Sequence, residues 1–174
     1  MIISFKELTT PDLDICKTVE RWENDPVLVP FIRPSRNKED LEKHVSVTVE
    51  SLKKRLEGLP TYLVYVDDQL VGRVDFKIDP DHLYRKIAGT AWIGIVIGEA
   101  SARGIGIGAQ AMRYLEEQIK QHGLKRIELG VFEFNARAIH LYRSLGYQEI
   151  GRIDNYTYWQ GRMWADIRFE KYLE

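Results

Sequence analysis

Arg103-Gly104-Ile105-Gly106-Ile107-Gly108 is the stretch of this chain whose spacing most directly implies a ligand. Three alternate glycines let a backbone approach a bound group closely and turn several N–H groups the same way. The residues after Gly108 have helical periodicity, so the turn also opens a helix, with its unpaired N–H groups and the positive end of its dipole. Together these features make an anion site suited to a pyrophosphate. Two other readings share the motif. One is a tight turn with no ligand. The other is a dinucleotide fingerprint, since Gly104-x-Gly106-x-x-Ala109 has that spacing and Glu128 falls near the place of a ribose-binding acid. That fold continues through further strand-helix units after the glycines, whereas here one short helix and a hairpin follow.

The turn must be held by a strand before it and a helix after it. Residues 88–98 predict a long strand, with Gly94 hinting at a bulge. Residues 108–122 predict a helix whose buried stripe is Met112, Leu115 and Ile119, capped by Gly123. Residues 126–132 predict a strand parallel to the first, residues 135–145 a short helix, and residues 147–156 with 162–172 a hairpin turning near Gln160-Gly161. Upstream, residues 2–6 predict a first strand. Thr10 and Pro11 suit the start of a helix carrying Leu13, Cys16 and Val19. Asn37 and Asp40 resemble a capping pair, and Leu41, Val45, Val49, Leu52 and Leu56 predict one helix ending at Gly58. Residues 61–66 and 69–78 predict a second hairpin around Asp67-Asp68. The order is β-α-α-β-β-β-α-β-α-β-β: an α+β chain with a largely antiparallel sheet, read as one domain over residues 1–174.

A chain of 174 residues with 44% hydrophobic side chains can bury a core without staples. The net charge of -1 argues against a nucleic-acid partner, which leaves a basic excess or patch. No apolar run approaches the roughly 18 residues of a membrane span. The one cysteine, Cys16, excludes an intramolecular disulfide, and residues 1–6 lack the pattern of a signal peptide. A reducing, cytoplasmic setting is the simplest expectation. His44, His82, His122 and His140 show no metal-ligand spacing, so no metal is expected.

With these elements in place, the chain resembles the GNAT superfamily of acetyltransferases. The family's loop, Gln/Arg-x-x-Gly-x-Gly/Ala, is matched by Arg103, Gly106 and Gly108. Its later helix, Asn-x-x-Ala-x-x-Leu-Tyr-x-x-x-Gly-Phe/Tyr, is matched by Asn135, Ala138, Leu141, Tyr142, Gly146 and Tyr147. The stretch from Trp92 to Glu99 is similar to the branch holding ribosomal-protein N-terminal and polyamine acetyltransferases. That branch often has a glutamate where Trp92 stands, so no base is carried over from it. The resemblance implies acetyl-CoA as cosubstrate, with its pyrophosphate on residues 103–108 and its pantetheine arm between two splayed parallel strands. It further implies a backbone N–H among Ile95, Val96 and Ile97 facing the thioester carbonyl, and a cofactor contact at Asn135 besides its cap. It also allows a homodimer.

The implied reaction is direct attack of a primary amine on the thioester. The departing thiolate needs a proton, and Tyr142 supplies a phenol of reference pKa about 10 that stays protonated near neutrality. A carboxylate working through water would help the ammonium lose its proton. Glu99, at the end of the predicted strand, is the first candidate, with Asp75 and Glu133 as rivals. The acceptor is expected to be a small-molecule amine or a protein N-terminus. Asp75, Glu133, Asp154 and Asp166 suit a cation. Tyr156, Tyr158, Trp159 and Trp164 are aromatics that either wall an acceptor pocket or pack the hairpin. The rival function from another class is a coenzyme A-binding sensor or scaffold without turnover.

Overall fold

The computed structural model describes the whole chain, Met1–Glu174. A seven-stranded sheet runs in the order β1-β2-β3-β4-β5-β7-β6. Its strands are β1 (Ile3–Glu7), β2 (Thr61–Val66), β3 (Gln69–Ile78), β4 (Thr90–Ile97), β5 (Arg126–Phe132), β6 (Gln148–Trp159) and β7 (Arg162–Tyr172). Every neighbouring pair is antiparallel except β4 with β5. The mixed α+β fold, with its one parallel crossover, is the one expected. That crossover passes through a 3₁₀ turn at Ala100–Ala102 and then α5 (Ile107–Gln121). The remaining helices are α1 (Leu13–Glu23), α2 (Val29–Ile32), α3 (Lys38–Leu41), α4 (Val49–Arg55) and α6 (Ala136–Ser144).

Strand alternation sorts the apolar side chains to two faces. On one face α5 lays Met112, Leu115 and Ile119 on Ile127, Leu129, Val131, Ile167 and Phe169. All three helix side chains are fully buried, each worth about 1.5–3 kcal/mol of burial. On the other face α1 and α4 pack Cys16, Val19, Trp22 and Leu52 against Leu63. Cys16 is therefore a small packed side chain, and burial pushes its thiol pKa up.

Three local expectations are corrected. Asp12, not Thr10, caps α1 by accepting from the Ile15 N–H, and the helix starts at Leu13. The single helix read through Leu41 to Leu56 is broken into α3 and α4. The Asn24 amide bonds both backbone groups of Val45, and Glu20 accepts from the Val47 N–H. These tertiary bonds hold residues 43–48 out of helical form, and a Thr48–Ser51 capping box starts α4. Gly94 marks no bulge, because the β3–β4 register runs unbroken from Gly72↔Ile97 to Ile78↔Ala91. Its lack of a side chain has a different cause: a Cβ there would lie 2.7 Å from Asp75 Oδ1. No helix is long and apolar enough to cross a membrane.

Gly98, just past β4, is covered by Trp22. A Cβ on Gly98 would overlap the indole, whose Nε1–H is held by Glu99 at 2.9 Å. Gly98→Ala is expected to cost about 1–3 kcal/mol of stability through overpacking, measured by denaturant unfolding. A change under about 0.5 kcal/mol would show that Trp22 moves aside freely.

Candidate active site

The site begins where two strands part. β4 and β5 pair at Thr90–Arg126, Ala91–Ile127 and Trp92–Glu128, and there the pairing stops. β5 stays paired to β7 as far as Phe132, and β4 stays paired to β3 as far as Ile97. One edge of β4 from Ile93 onward thus has no partner strand, and its backbone groups are open to a ligand. A cavity of about 860 Å³ fills the gap.

The cavity reaches both faces of the sheet. Ala138, Leu141 and Tyr142 of α6 line it from the α5 side, whereas Trp92, His82 and Tyr156 line it from the other. A donor and an acceptor can therefore approach one point from opposite sides.

The glycine loop closes the α5 side. Gly104 and Gly106 hold φ of 73° and 88°, which side-chain-bearing residues rarely adopt. Gly106 is the N-cap of α5 and offers no side chain, so the first N–H groups of that helix have no side-chain cap. Gly104, Gly106 and Gly108 face the cavity, as does Arg103, whose guanidinium donates to the carbonyls of Ile97 (3.0 Å) and Gly98 (2.7 Å) and ties the loop to the end of β4. Ile95, Val96 and Ile97 also line the cavity. Ile105 and Ile107 do not: Ile105 is half exposed on the surface, and Ile107 is fully buried in the core.

Asn135 caps α6, its side-chain oxygen accepting from the Ala138 N–H at 3.3 Å, and it borders the cavity. Its amide N–H groups stay available to a ligand. Tyr142 also borders the cavity, 7% exposed, and its hydroxyl makes no hydrogen bond within the protein. Burial pushes its pKa up to about 12.

Glu99 does not reach the cavity. Its carboxylate pairs with Arg21 and accepts from Trp22, and the Arg21 hydrogen bond holds its pKa below the usual carboxylate range. Among the other acids, Asp75 is engaged by Arg73, while Glu133 accepts from the Ala165 N–H and from Arg152, which also holds Asp154. Asp166 is the carboxylate that lines the cavity. Of the hairpin aromatics, Tyr156, Trp159 and Trp164 gather with Phe31, Phe132 and Phe134 in one cluster, which Tyr158 does not join; Phe31, Phe132 and Tyr156 from it face the cavity.

Glu128 rules out the dinucleotide reading. It is fully buried, pairs with Arg126 at 3.0 Å, and accepts the N–H groups of Tyr84 (2.7 Å) and Arg85 (3.0 Å). No ribose can reach it. Instead it fastens residues 79–89 over the sheet, together with Arg168, which donates to the His82 carbonyl. Sequence reading missed this network, because Arg126, Glu128, Arg168 and Glu170 alternate along strands in the manner of a solvated face.

The model of the acetyltransferase (GNAT) family matches residues 19–147. The chain belongs to the GNAT acetyltransferase family. It is an N-acetyltransferase, and acetyl-CoA is its cosubstrate. The GNAT relatives include the spermine/spermidine N(1)-acetyltransferase of Bacillus subtilis, 28% identical over 121 residues that cover 69% of this chain and 79% of that protein. In fold, it is similar to a GNAT-family acetyltransferase from Streptococcus pneumoniae, with a TM-score of 0.76 at 19% identity over 99% of this chain and 100% of that one. It is also similar to spermidine N-acetyltransferase from Vibrio cholerae in complex with CoA and spermine, with a TM-score of 0.73 at 17% identity over 98% and 95%. In this GNAT chain the residues present fit the cosubstrate. The uncapped helix start suits a diphosphate, the free β4 edge suits the amides of a pantetheine arm, and Tyr142 lines the same cavity.

Proposed function

We propose that residues 1–174 act as one domain that transfers the acetyl group of acetyl-CoA to a primary amine by direct attack. One observation carries this reading: the unpaired edge of β4, the glycine loop and Tyr142 line a single cavity that opens on both faces of the sheet.

The N–H groups at the start of α5 and the backbone of Gly104, Gly106 and Gly108 hold the diphosphate, aided by Arg137 on the cavity wall. The Asn135 amide donates to the cosubstrate. Backbone groups among Ile95, Val96 and Ile97 position the thioester and stabilise negative charge on its carbonyl oxygen. The amine nitrogen bonds to the carbonyl carbon, the carbon–sulfur bond breaks, and Tyr142 gives its phenolic proton to the departing sulfur. The proton shed by the amine leaves through water and restores the phenol. Glu99 has no part in this scheme, since Arg21 and Trp22 occupy it. A sensor that only held coenzyme A would have no use for a passage from the thioester to the opposite face.

The acceptor is a primary amine of a small molecule or of a protein N-terminus. Thermal unfolding with acetyl-CoA, with NADH as control, tests the donor site. At one hundred times its Kd, acetyl-CoA is expected to add about 2.7 kcal/mol, or roughly 5–10 °C at this chain length. A shift with NADH alone would overturn the assignment.

A further inference from the structure

The acceptor side of the cavity is floored by two glycines, Gly94 on β4 and Gly130 on β5. Asp166 on β7 lies over Gly130, so closely that a Cβ there would overlap its Oδ2. That oxygen accepts from Arg168 Nε at 2.9 Å, while Oδ1 makes no hydrogen bond within the protein. Trp92 stands beside this carboxylate, its ring fixed between the edge-on His82 imidazole (4.6 Å) and the Arg168 guanidinium (4.7 Å). Phe31, Phe132 and Tyr156 complete the wall.

The charges around the cavity are unequal. Asp166 is its one acid; on the acceptor side the cations near it are Arg73 on the wall and Arg168 behind Trp92, whereas Arg103 and Arg137 belong to the donor side. The acids just behind the wall, Asp75 and Glu133, are each bonded to an arginine. An acceptor with one ammonium finds one carboxylate oxygen free to take it and aromatic surface for its carbon skeleton. An acceptor with several ammonium groups would bring the others among aromatics and beside Arg73 and Arg168, with no further free carboxylate on the wall to pair them.

We propose that Asp166 anchors the single ammonium of an apolar or aromatic monoamine, so that the acceptor class of this chain is the hydrophobic monoamine and not the polyamine. The inference rests on the acetyl-transfer reading above. Burial raises the Asp166 carboxyl above the usual range even though Arg168 pairs with its Oδ2, and an arriving ammonium adds a second charge partner at Oδ1.

Initial rates of thiol release are measured at saturating acetyl-CoA with 2-phenylethylamine and with spermidine. The expected kcat/KM is at least about tenfold higher for 2-phenylethylamine. Equal or faster turnover of spermidine, or turnover of neither amine, would overturn the substrate class; acetyl-CoA stabilisation in the same protein would leave the donor site standing. In Asp166→Asn, the KM for 2-phenylethylamine is expected to rise at least about tenfold, while the thermal shift with acetyl-CoA yields a Kd within about twofold of the parent. An unchanged KM, or loss of acetyl-CoA binding along with it, would refute the anchoring role. Absence of an acetyl-CoA shift in the parent protein would instead bring down the acetyl-transfer reading itself.

Discussion

Tyr142→Phe is expected to lower kcat by about 100- to 1,000-fold, the usual range for losing a placed general acid, with the KM for acetyl-CoA changed less than about threefold. The expectation follows from position and burial. The hydroxyl borders the cavity with no protein partner, so its removal leaves no buried group unsatisfied and is expected to cost little stability. The raised pKa, about 12, keeps the phenol protonated through the working range, and no alkaline fall in rate from Tyr142 is expected below about pH 11. The same shift links to stability. Between about pH 10 and 12 the unfolded chain loses the Tyr142 proton while the folded chain keeps it. Stability therefore falls as pH rises through that window, and the variant loses part of this dependence; Tyr62, Tyr65, Tyr114 and Tyr147, also raised by burial, retain the rest. Steady-state kinetics and alkaline unfolding of the two proteins check both statements. A kcat within threefold of the parent would remove Tyr142 from the role of acid.

Glu128→Ala is expected to be the most destabilising of the substitutions considered, by about 3–5 kcal/mol. The carboxylate is fully buried among Arg126 and Arg168, themselves 2% and 1% exposed. Removing it leaves two buried cations short of an anion and orphans the N–H groups of Tyr84 and Arg85. Arg126 keeps Glu170 and Arg168 keeps Asp166, which limits the loss. At this chain length the cost corresponds to roughly 6–20 °C in Tm. Freed from Glu128, residues 79–89 lose the two bonds at Tyr84 and Arg85 while Arg168 still holds the His82 carbonyl, and His82 is expected to loosen on the acceptor wall. The KM for the amine should then rise more than that for acetyl-CoA. A loss below about 1 kcal/mol would mean that water replaces the carboxylate and that the network is not closed.

These two residues show where sequence reading succeeds and where it stops. The place of Tyr142 beside the cavity was legible because α6 carries the family motif, in which the tyrosine stands at a fixed spacing from Asn135. The glycine loop was legible because positive φ and close approach restrict residue type. Glu128 was not, since a buried ion pair and an exposed one look alike in one dimension. Glu99 was misjudged for the same reason: its partners, Arg21 and Trp22, lie almost 80 residues away in the chain. The Leu41–Leu56 periodicity failed where Asn24 and Glu20 reached across from α1 and captured the backbone. The succession of elements, the two hairpins and the parallel crossover followed from local pattern. The acceptor chamber depends on which side chains of β4, β5 and β7 meet across the splay, and no local pattern encodes that register.

Direct attack of the amine on bound acetyl-CoA, in the gap between β4 and β5, is the step on which the proposed function rests. The measurement that tests it most directly is a single-turnover mixing experiment with acetyl-CoA, with and without amine, following free thiol and the mass of the protein. Direct attack yields one thiol for each acetylated amine, no thiol beyond background without amine, and no acetylated protein. Thiol release that proceeds without amine, with an acetyl group accumulating on the chain, would contradict it.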